Sequence, residues 1–317
     1  MTYPRSGCLL AGIALIAFGG RLPAETPPVK KAESTKFVRL QRDAQQQPLK
    51  LETAIVRFGP AAGQTGPTVD LVGAVHVADR DYYDALNKQL EKYDVVLYEL
   101  VAPPGTRIPK GGKKADNPLA FVQQIMKFVL DLDLQTERID YTKSNFVHAD
   151  MSPEQMAKAM KNRGEDGLTL FLSIAADVLK QQNLQQAGGN NGAANGKDLD
   201  LASLFLDPEG PVKLKQIMAG QMEAFSSPEG GLGRTLKTIL ISDRNKAALK
   251  VLESEIAKGH KKIAIFYGAA HMPDFEKRLH KDFGLERKSQ QWLTAWDIRV
   301  KEKGLDDLLD LLKLLDR

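Results

Sequence analysis

The sequence predicts an α/β fold with a central mixed, largely parallel sheet that is flanked by helices. Three observations predict it: apolar runs typical of strands at both ends of the chain, a strand–helix–strand pattern in residues 68–101, and helical periodicity through the long middle. A strand, a helix and a strand in so short a stretch form a βαβ unit, whose two strands are expected to run parallel. The helical middle, at about residues 117–255, is then expected to form a cap inserted between the N-terminal and C-terminal strands.

The first 24 residues have the pattern of a secretory signal peptide. A basic start, MTYPRSG, precedes an apolar run of 11 residues from Cys8 to Phe18, and GGRLPA then ends in Ala24, a small residue suited to cleavage. Because the run is short for a membrane span, we favour cleavage over a retained anchor. Residues 25–35, rich in proline and charge, are expected to be a flexible leader. The sequence therefore predicts export, to the periplasm or outside the cell, with no stable membrane span after cleavage.

The composition argues against several classes of partner and of chemical site. The 317 residues suffice for one large domain, which we expect to span residues 36–317. Cys8 is the only cysteine and leaves with the signal, so the mature chain can form neither a disulfide nor a thiolate metal site. Loss of Arg5 and Arg21 lowers the formal net charge of +4 by two. A balance so close to neutral argues against nucleic acid and acidic membrane surfaces as partners.

Strands and one helix are expected in the first third of the domain. KFVRLQRD and LKLETAIVRF alternate apolar and polar residues, which is typical of half-buried strands. TVDLVGAVHV is more continuously apolar than these two segments and suits the middle of a sheet. Asp79 is expected to be the N-cap of the helix that follows, DRDYYDALNKQLEKY, and DVVLYELV returns as a buried strand at Asp94–Val101.

Helices are expected through the middle. Ser152 should be the N-cap of the helix in SPEQMAKAM, with Pro153 at its first position and Gln155 completing a capping box. The tract Ala187–Asp198, rich in glycine and asparagine, is expected to be a flexible surface loop. The other segments with helical spacing are NPLAFVQQIMKFVLDLD, GLTLFLSIAADVLKQQNLQQ, VKLKQIMAGQMEAF and TLKTILISDRNKAALKVLESEIAKG.

The C-terminal part returns to sheet. KIAIFYGAAH is expected to be a strand, PDFEKRLHKDF a short helix, and WLTAWDIRV a last strand. Trp292 and Trp296 are expected to share one face of that last strand, in the core. The closing LDDLLDLLKLLDR is a strongly amphipathic helix, which we expect to pack on the domain or on a partner, including a second copy in a homo-oligomer.

Three polar residues, whose side chains are unfavourable to bury without a partner, come at the ends of predicted strands. His76 closes VDLVGAVH, Glu99 closes DVVLYE, and His271 closes IAIFYGAAH. Each needs a partner or a role because burying such groups unpaired is unfavourable. Ligands of α/β sheets bind beyond the carboxyl ends of the strands, where neighbouring strands could bring the three side chains together. Gly73 and Gly268 precede the two histidines by three residues, where glycine permits a sharp turn or a close approach of the backbone.

Two histidines and one glutamate can hold a divalent metal ion and leave a position open for water. This is the arrangement of hydrolytic zinc sites, in which the metal lowers the pKa of the water and polarises a scissile carbonyl. A plainer interpretation is also open, in which each histidine is a hydrogen-bonded structural residue and Glu99 caps or pairs with a helix. The recurrence of glycine, two residues and histidine at two strand–helix junctions favours the chemical interpretation.

The same residues resemble the TraB/PrgY/GumN superfamily, which includes the TIKI metalloproteases and is related to erythromycin esterase and ChaN-like proteins. That superfamily is marked by two G-x-x-H motifs, a glutamate on the strand after the first and an arginine in a helix before the second. Here the matching residues are Gly73 and His76, Glu99, Arg244 in LISDRNKAAL, and Gly268 and His271. The closing WLTAWDIRV also resembles the last strand of the family, and the likeness covers about residues 36–300.

The resemblance implies an erythromycin-esterase/ChaN-like fold and a site built from His76, Glu99, Arg244 and His271. For TIKI-like members it implies metal-dependent hydrolysis of a peptide or protein substrate, with a divalent cation such as manganese, cobalt or zinc held by the two histidines and the glutamate. Esterase-like relatives imply instead a histidine base acting on an ester without metal, and ChaN-like relatives imply a haem- or ligand-binding protein. A third alternative is a degenerate member that acts through interactions of its helical cap and its C-terminal helix.

Arg244 has two interpretations. Near the site, its guanidinium could hold Glu99 in place or stabilise an oxyanion. Otherwise it would form an ordinary surface ion pair with Asp243 or Glu253. The resemblance favours the first.

Several other residues are weaker candidates. Asp79 and Arg80 could orient the imidazole of His76, although we prefer Asp79 as a plain N-cap. His148 and Asp150 could face the site from a cap loop. The remaining residues considered have plainer expectations, namely packing for Tyr98 and Tyr267 and solvent for His260 and His280.

Overall fold

The structure is a computed structural model that describes residues 36–103, 105–106, 108–111, 130, 132–162, 209–225 and 237–299. Several expectations therefore lie outside the described residues. They are the signal peptide, the leader, most of the helix predicted from residue 117, the helix and the glycine-rich tract predicted within 163–208, and the C-terminal amphipathic helix.

The core of the protein is a seven-stranded mixed sheet. Its strands are β1 (Val38–Arg42), β2 (Pro48–Gly59), β3 (Thr68–Ala74), β5 (Val95–Tyr98), β7 (Phe146–His148), β8 (Lys262–Gly268) and β9 (Glu286–Asp297). Their order is β1-β2-β3-β8-β5-β7, and β9 also pairs with β2. β3, β8, β5 and β7 run parallel, whereas β2 is antiparallel to β1, β3 and β9. The predicted α/β class with a mixed, largely parallel sheet is confirmed.

The predicted βαβ unit is present, but a further strand lies between its two strands. β3 and β5 are parallel, as expected, but β8 from the C-terminal part of the chain lies between them and pairs with both. All three strands are buried on both faces, which explains their continuous apolar sequences. The N-terminal and C-terminal parts of the chain therefore build the middle of the sheet together.

Helices cover both faces of the sheet. On one face, α1 (Arg80–Leu90) and α4 (Gly210–Phe225) pack against a core that includes Tyr82, Tyr83 and Leu86. On the other, α5 (Arg244–Ala257) and α6 (Met272–Phe283) bury residues such as Leu252 and Phe275. The remaining helical segments are α2 (Gln135–Arg138), α3 (Pro153–Lys161), a π-helical segment at Lys237–Asp243 and a 3₁₀ turn at Ala269–His271. None of the helices in the described ranges is long and apolar enough to cross a bilayer.

The two predicted N-caps have different outcomes. Ser152 forms the full capping box with Gln155, and Pro153 is the first residue of α3, as predicted. Asp79 occupies the N-cap position of α1, but its side chain makes no capping hydrogen bond. Its carboxylate instead accepts a hydrogen bond from the backbone N–H of Asp297, at 2.6 Å, and so ties the start of α1 to the end of β9.

The middle of the chain contains more strand than the sequence predicts. The segment 132–150 was expected within a helical insertion, but it forms the short strand β6 (Asp133–Leu134) and the sheet strand β7. β6 pairs antiparallel with β4 (Val77–Ala78), directly after His76. Strands of two or three residues are too short to leave a periodic pattern, which explains why the sequence did not reveal them.

Trp292 and Trp296 do not share one face of β9, as was predicted. The pairing of β9 with β2 shifts between Thr294, opposite Glu52, and Trp296, opposite Leu51, so that one extra residue is inserted in β9. Such a bulge reverses the alternation of side chains. Trp296 is consequently buried in the core on the α1 side, whereas Trp292 is half-buried on the opposite face, beneath the guanidinium of Arg39 at 4.1 Å.

Candidate functional site

Four parallel strands end at one edge of the sheet, and polar residues follow each end. Ala74 of β3 pairs with Gly268 of β8, and Tyr98 of β5 is level with both Phe266 and His148. The chain then continues into the four residues that gather at this edge, His76, Glu99, Asp150 and His271.

Gly268 marks the point where the three predicted ligands converge. A Cβ atom at this position would lie 3.3 Å from Oε2 of Glu99, 3.7 Å from Nε2 of His76 and 3.9 Å from Cδ2 of His271. The structure therefore brings the two histidines and the glutamate around one small space that a side chain at position 268 would enter. Gly268 has an ordinary negative φ of −52°, so this close approach is what requires glycine there.

Gly73 has a different role. A Cβ atom on Gly73 would meet the backbone oxygen of Ala54 at 3.3 Å and the side chain of Met272 at 3.4 Å. These contacts belong to the packing of β3 against β2 and α6, beneath the site. The first motif glycine is therefore a packing residue, and the second borders the site itself.

Glu99 is held at both carboxylate oxygens. Nη2 of Arg244 donates to Oε1 at 2.7 Å, and the backbone N–H of Gly268 donates to Oε2 at 2.6 Å. Burial alone would raise the pKa of this carboxyl, but the neighbouring histidines, Arg244 and the Gly268 N–H outweigh burial and lower the pKa of Glu99 to about 2. Glu99 is therefore a buried carboxylate that stays ionised at neutral pH.

His271 is held by an asparagine from the start of α5. The ring Nδ1 of His271 lies 2.6 Å from Oδ1 of Asn245. The amide nitrogen of Asn245 donates to two acceptors, the backbone oxygen of His271 and Oδ2 of Asp274, so Oδ1 is the amide atom that faces the ring. Nδ1 of His271 must then carry the proton, which leaves Nε2 with a free lone pair whenever the ring is neutral.

The free nitrogen of His271 faces Glu99. Nε2 lies 3.5 Å from Oε1 of Glu99. Burial lowers the pKa of His271 to about 4, with Glu99 opposing and Arg244 reinforcing that shift. At neutral pH the ring is therefore neutral, and an imidazole lone pair and a carboxylate oxygen face each other with no hydrogen between them. At that pH, Arg244 and the Gly268 N–H are the groups that keep Glu99 charged.

His76 is exposed and is held by Gln135, a residue that the sequence analysis missed. Its ring Nδ1 lies 3.1 Å from Oε1 of Gln135, and its backbone oxygen accepts from the backbone N–H of Gln135 at 2.9 Å. Pairing of β4 with β6 fixes this position, because Val77 is opposite Leu134. The amide nitrogen of Gln135 in turn donates to Tyr141 Oη at 2.9 Å.

The residues that were expected near His76 contact other groups instead. The carboxylate of Asp79 accepts a hydrogen bond from the backbone of β9. Arg80 is mostly exposed, and its Nε lies 3.4 Å from Oδ2 of Asp133. His148 also stays outside the site, because its Nε2 donates to the backbone oxygen of Leu100 at 2.6 Å and its ring packs against Tyr98. The imidazole of His76 is therefore positioned by Gln135 instead.

Asp150 and Arg244 form the charged floor of the site. Arg244 donates from Nε to Oδ1 of Asp150 at 3.0 Å and from Nη2 to Oδ2 at 2.6 Å, besides its bond to Glu99. Burial alone would lower the pKa of Arg244, but the hydrogen bond and the charges of these two carboxylates outweigh it and raise that pKa. The geometry supports the interpretation in which Arg244 holds Glu99, since its Nε and Nη2 donors are already used by the two carboxylates.

The two tyrosines pack in the core, and the remaining two histidines lie outside the site. Tyr267 packs edge-on against the ring of His271, and its hydroxyl donates to the backbone oxygen of Ala149. Tyr98 packs against Tyr141 and two other rings. His280 is exposed, as expected, whereas His260 was expected in solvent and instead pairs with the buried Glu255 at 2.9 Å.

The donor atoms fit a divalent cation in chemistry. Both imidazoles place Nδ1 on an amide oxygen and Nε2 towards Glu99 or Gly268, which is how histidines that bind metals are usually oriented. The 3.5 Å between Nε2 of His271 and Oε1 of Glu99 is close to the separation of about 3.4 Å expected for two ligands of one tetrahedral ion. Across the described ranges, however, no three His, Cys, Asp or Glu side chains are already arranged to hold a metal ion.

Comparisons with known protein families, with curated proteins and with solved structures found no match to this chain. The resemblance to the TraB/PrgY/GumN superfamily therefore stays a prediction that rests on the motif residues. The geometry of those residues carries the functional argument.

Proposed function

We propose that the protein is an exported, metal-dependent hydrolase whose cation is held by His76, Glu99 and His271. The observation that carries the proposal is the contact between Nε2 of His271 and Oε1 of Glu99, 3.5 Å apart. With His271 neutral, its lone pair and a carboxylate oxygen face each other in a buried space, and a cation bound to both atoms would relieve their repulsion. A divalent cation is the partner that two imidazole nitrogens and a carboxylate suit together.

The bound cation would supply an activated water and polarise the carbonyl of the substrate. The residues of the chain have distinct roles around it. His271 stays neutral because it is buried, and Asn245 fixes its tautomer. Glu99 stays ionised because Arg244 and the Gly268 N–H hold it so. His76 is the exposed member, so the substrate would approach from its side.

The class of substrate comes from the resemblance and not from the geometry. Among the related proteins, the TIKI-like members combine the two G-x-x-H motifs with metal-dependent cleavage of peptide bonds, so we propose a peptide or protein substrate. The signal-like start of the chain supports export. The membership in the TraB/PrgY/GumN superfamily and the erythromycin-esterase/ChaN-like fold are part of the same proposal.

A second candidate is a metal-independent esterase with His76 as the base. It is favoured by the exposure of His76 and by the contact of its Nδ1 with Gln135, which leaves Nε2 able to accept a proton. The haem-binding alternative gains no support from Tyr98 and Tyr267, since both are buried and Tyr267 is bonded to the backbone.

The test is hydrolysis by protein freed of metal with a chelator. A mixture of quenched fluorescent peptides and a set of p-nitrophenyl esters would be assayed with and without added manganese, cobalt or zinc. We expect peptide cleavage that needs one of these metals and that falls by about 100-fold or more in Glu99→Gln, while His280→Gln behaves as wild type. Ester cleavage that resists the chelator and is lost in His76→Ala would support the second candidate instead. No cleavage under any of these conditions would contradict both.

A further inference from the structure

We propose that Asp150 is a positioning residue that holds Arg244 in such a way that Glu99 keeps its place and the site keeps a net negative charge for the cation. The inference rests on the proposed function, because it concerns the same cation site. Asp150 lies two residues beyond the end of β7 and is not one of the motif residues.

The carboxylate of Asp150 is fully buried and fully used. Its side chain has 0% exposure. Oδ2 accepts the backbone N–H of Leu100 at 3.0 Å, Oδ1 accepts the backbone N–H of Met151 at 2.7 Å, and both oxygens accept from Arg244. Asp150 thus ties together the residue after Glu99, the end of β7 and the first residue of α5.

Arg244 is bound more completely by Asp150 than by Glu99. The Nε and Nη2 pair of the guanidinium meets both oxygens of Asp150, whereas Glu99 receives a single bond from Nη2. A two-point contact of this kind fixes the plane of the guanidinium. Asp150 therefore orients Arg244, and Arg244 contacts Glu99 through Nη2 only.

This arrangement also sets the charge of the site. Arg244 carries one positive charge, and Asp150 and Glu99 carry one negative charge each, so the group has a net charge of minus one while the histidines are neutral. If Asp150 were uncharged, Arg244 would neutralise Glu99 and the group would have no net charge. An anionic site attracts a divalent cation, and a neutral one loses that attraction.

Replacement of Asp150 should also move Glu99. Asn at position 150 presents an N–H₂ group to a guanidinium that has only donors, so the two-point contact cannot form. Arg244 is then free to turn its paired donors towards Glu99. Because Oε2 of Glu99 is bonded to the Gly268 N–H at 2.6 Å, a two-point contact with Arg244 would draw that oxygen away from Gly268.

The experiment compares cation binding by the full chain in Asp150→Asn and in a matched control. Asp70→Asn is the control, because Asp70 is also a buried carboxylate held at both oxygens by an arginine, Arg57, at 2.9 and 2.8 Å. Asp70 lies in β3 opposite Ala264 of β8, several residues before the strand ends that carry the site. Manganese and zinc would be titrated by calorimetry into protein freed of metal.

We expect Asp150→Asn to weaken cation binding by about 10- to 100-fold, the usual effect of removing a partner that positions a metal ligand, and Asp70→Asn to leave it unchanged. In the metal-free protein, the amide proton of Gly268 should shift in the NMR spectrum of Asp150→Asn and exchange faster with solvent. Unchanged affinity in Asp150→Asn, or an equal loss in Asp70→Asn, would overturn the inference. Absence of cation binding by the wild type would instead overturn the proposed function, and the inference with it.

A second pair of variants tests whether Asp150 acts through Arg244. The effect of Asp150→Asn would be measured again in an Arg244→Met background. The double variant removes the buried pair of Arg244 and Asp150 as a unit, which is less demanding on folding than the lone buried Asp150 that Arg244→Met leaves. We expect most of the loss of affinity to disappear there. A loss as large as in the wild type would show that Asp150 does not act through Arg244 and would contradict the proposal.

Discussion

His271 and Glu99 direct an unprotonated ring nitrogen and a carboxylate oxygen at each other across 3.5 Å. The orientation of Asn245 leaves Nε2 as the free nitrogen of the ring, and burial lowers the pKa of His271 to about 4. A proton could join the two atoms only in acid. At neutral pH the pair is suited to a metal cation, and this relationship links the local geometry to the proposed chemistry.

Asn245 should matter for the site more than for the fold. Asn245→Ala removes the acceptor that fixes Nδ1–H of His271, so the ring should populate the other tautomer and cation affinity should fall by about 10- to 100-fold. Nitrogen-15 NMR of the metal-free protein reports the tautomer, and calorimetry reports the affinity. The control is Asn145→Ala, which removes an amide that likewise donates to two oxygen acceptors, the backbone oxygens of Leu90 and Tyr93. A tautomer unchanged by Asn245→Ala would be evidence against this role.

Substitutions of Gln135 and Tyr141, which position His76 directly and indirectly, should weaken cation binding to different degrees. Gln135→Met removes the side-chain bond to the ring and should weaken cation binding by about tenfold, with a loss of stability of about 1 kcal/mol. Tyr141→Phe removes only the hydroxyl that accepts from the amide of Gln135, so its effect on affinity should be smaller. Calorimetry and urea denaturation measure the two quantities. A larger loss of affinity in Tyr141→Phe than in Gln135→Met would reverse the expected order and contradict this chain of contacts.

Substitution of the two motif glycines should affect different properties, cation binding and hydrolysis for Gly268 and stability for Gly73. Gly268→Ala places a methyl group 3.3 Å from Oε2 of Glu99, so it should displace that carboxylate and reduce hydrolysis and cation binding strongly, with little change in the melting temperature. Gly73→Ala instead meets backbone of β2 and the side chain of Met272, so it should lower the free energy of unfolding by about 1–3 kcal/mol. Thermal denaturation and the hydrolysis assay together distinguish the outcomes. Equal effects of both variants on affinity would refute the distinction.

The stability of the metal-free protein should fall between pH 6.5 and pH 4 because of His271. In this window the imidazole takes up a proton in the unfolded chain, where its pKa is about 6.5, but not in the folded chain, where it is about 4. Proton uptake therefore favours unfolding, by about 3 kcal/mol at most, and the effect is absent above pH 6.5. The loss due to Glu99 comes lower, between its usual pKa of 4.5 and its folded value of about 2.

Urea denaturation across this range, with a chelator present, measures the effect. His271→Gln should flatten the dependence between pH 6.5 and 4, and the exposed His280→Gln should leave it intact. An identical slope in the wild type and in His271→Gln would contradict the assignment of this window to His271.

The main features of the sheet could be predicted because long buried strands leave long apolar runs. β3, β5 and β8 were located in this way, and the rule that ligands gather at the carboxyl ends of strands pointed to His76, Glu99 and His271. The placement of β8 between β3 and β5 was not accessible, since strand order depends on contacts between residues almost two hundred positions apart.

The supporting residues were missed or ranked low for reasons that differ. Gln135 lies beside His76 only because the two-residue strands β4 and β6 pair, and such strands have no periodicity to detect. Asp150 was only a weaker candidate on a cap loop, because it follows a strand of three residues; the rule that selected Glu99 would have selected it if β7 had been recognised. Asn245 directly follows Arg244, but one turn of a helix contains many polar residues, and only the folded contact with His271 distinguishes it.

An anomalous diffraction map from crystals of the protein soaked in manganese or zinc tests most directly whether His76, Glu99 and His271 share a cation. We expect one peak within bonding distance of Nε2 of His76, Nε2 of His271 and the carboxylate of Glu99, with Arg244 still bridging Glu99 and Asp150. Soaked crystals of His271→Ala should lack that peak. No peak in the wild type, or a peak away from these three residues with the His271–Glu99 contact unchanged, would contradict the claim that they share a cation.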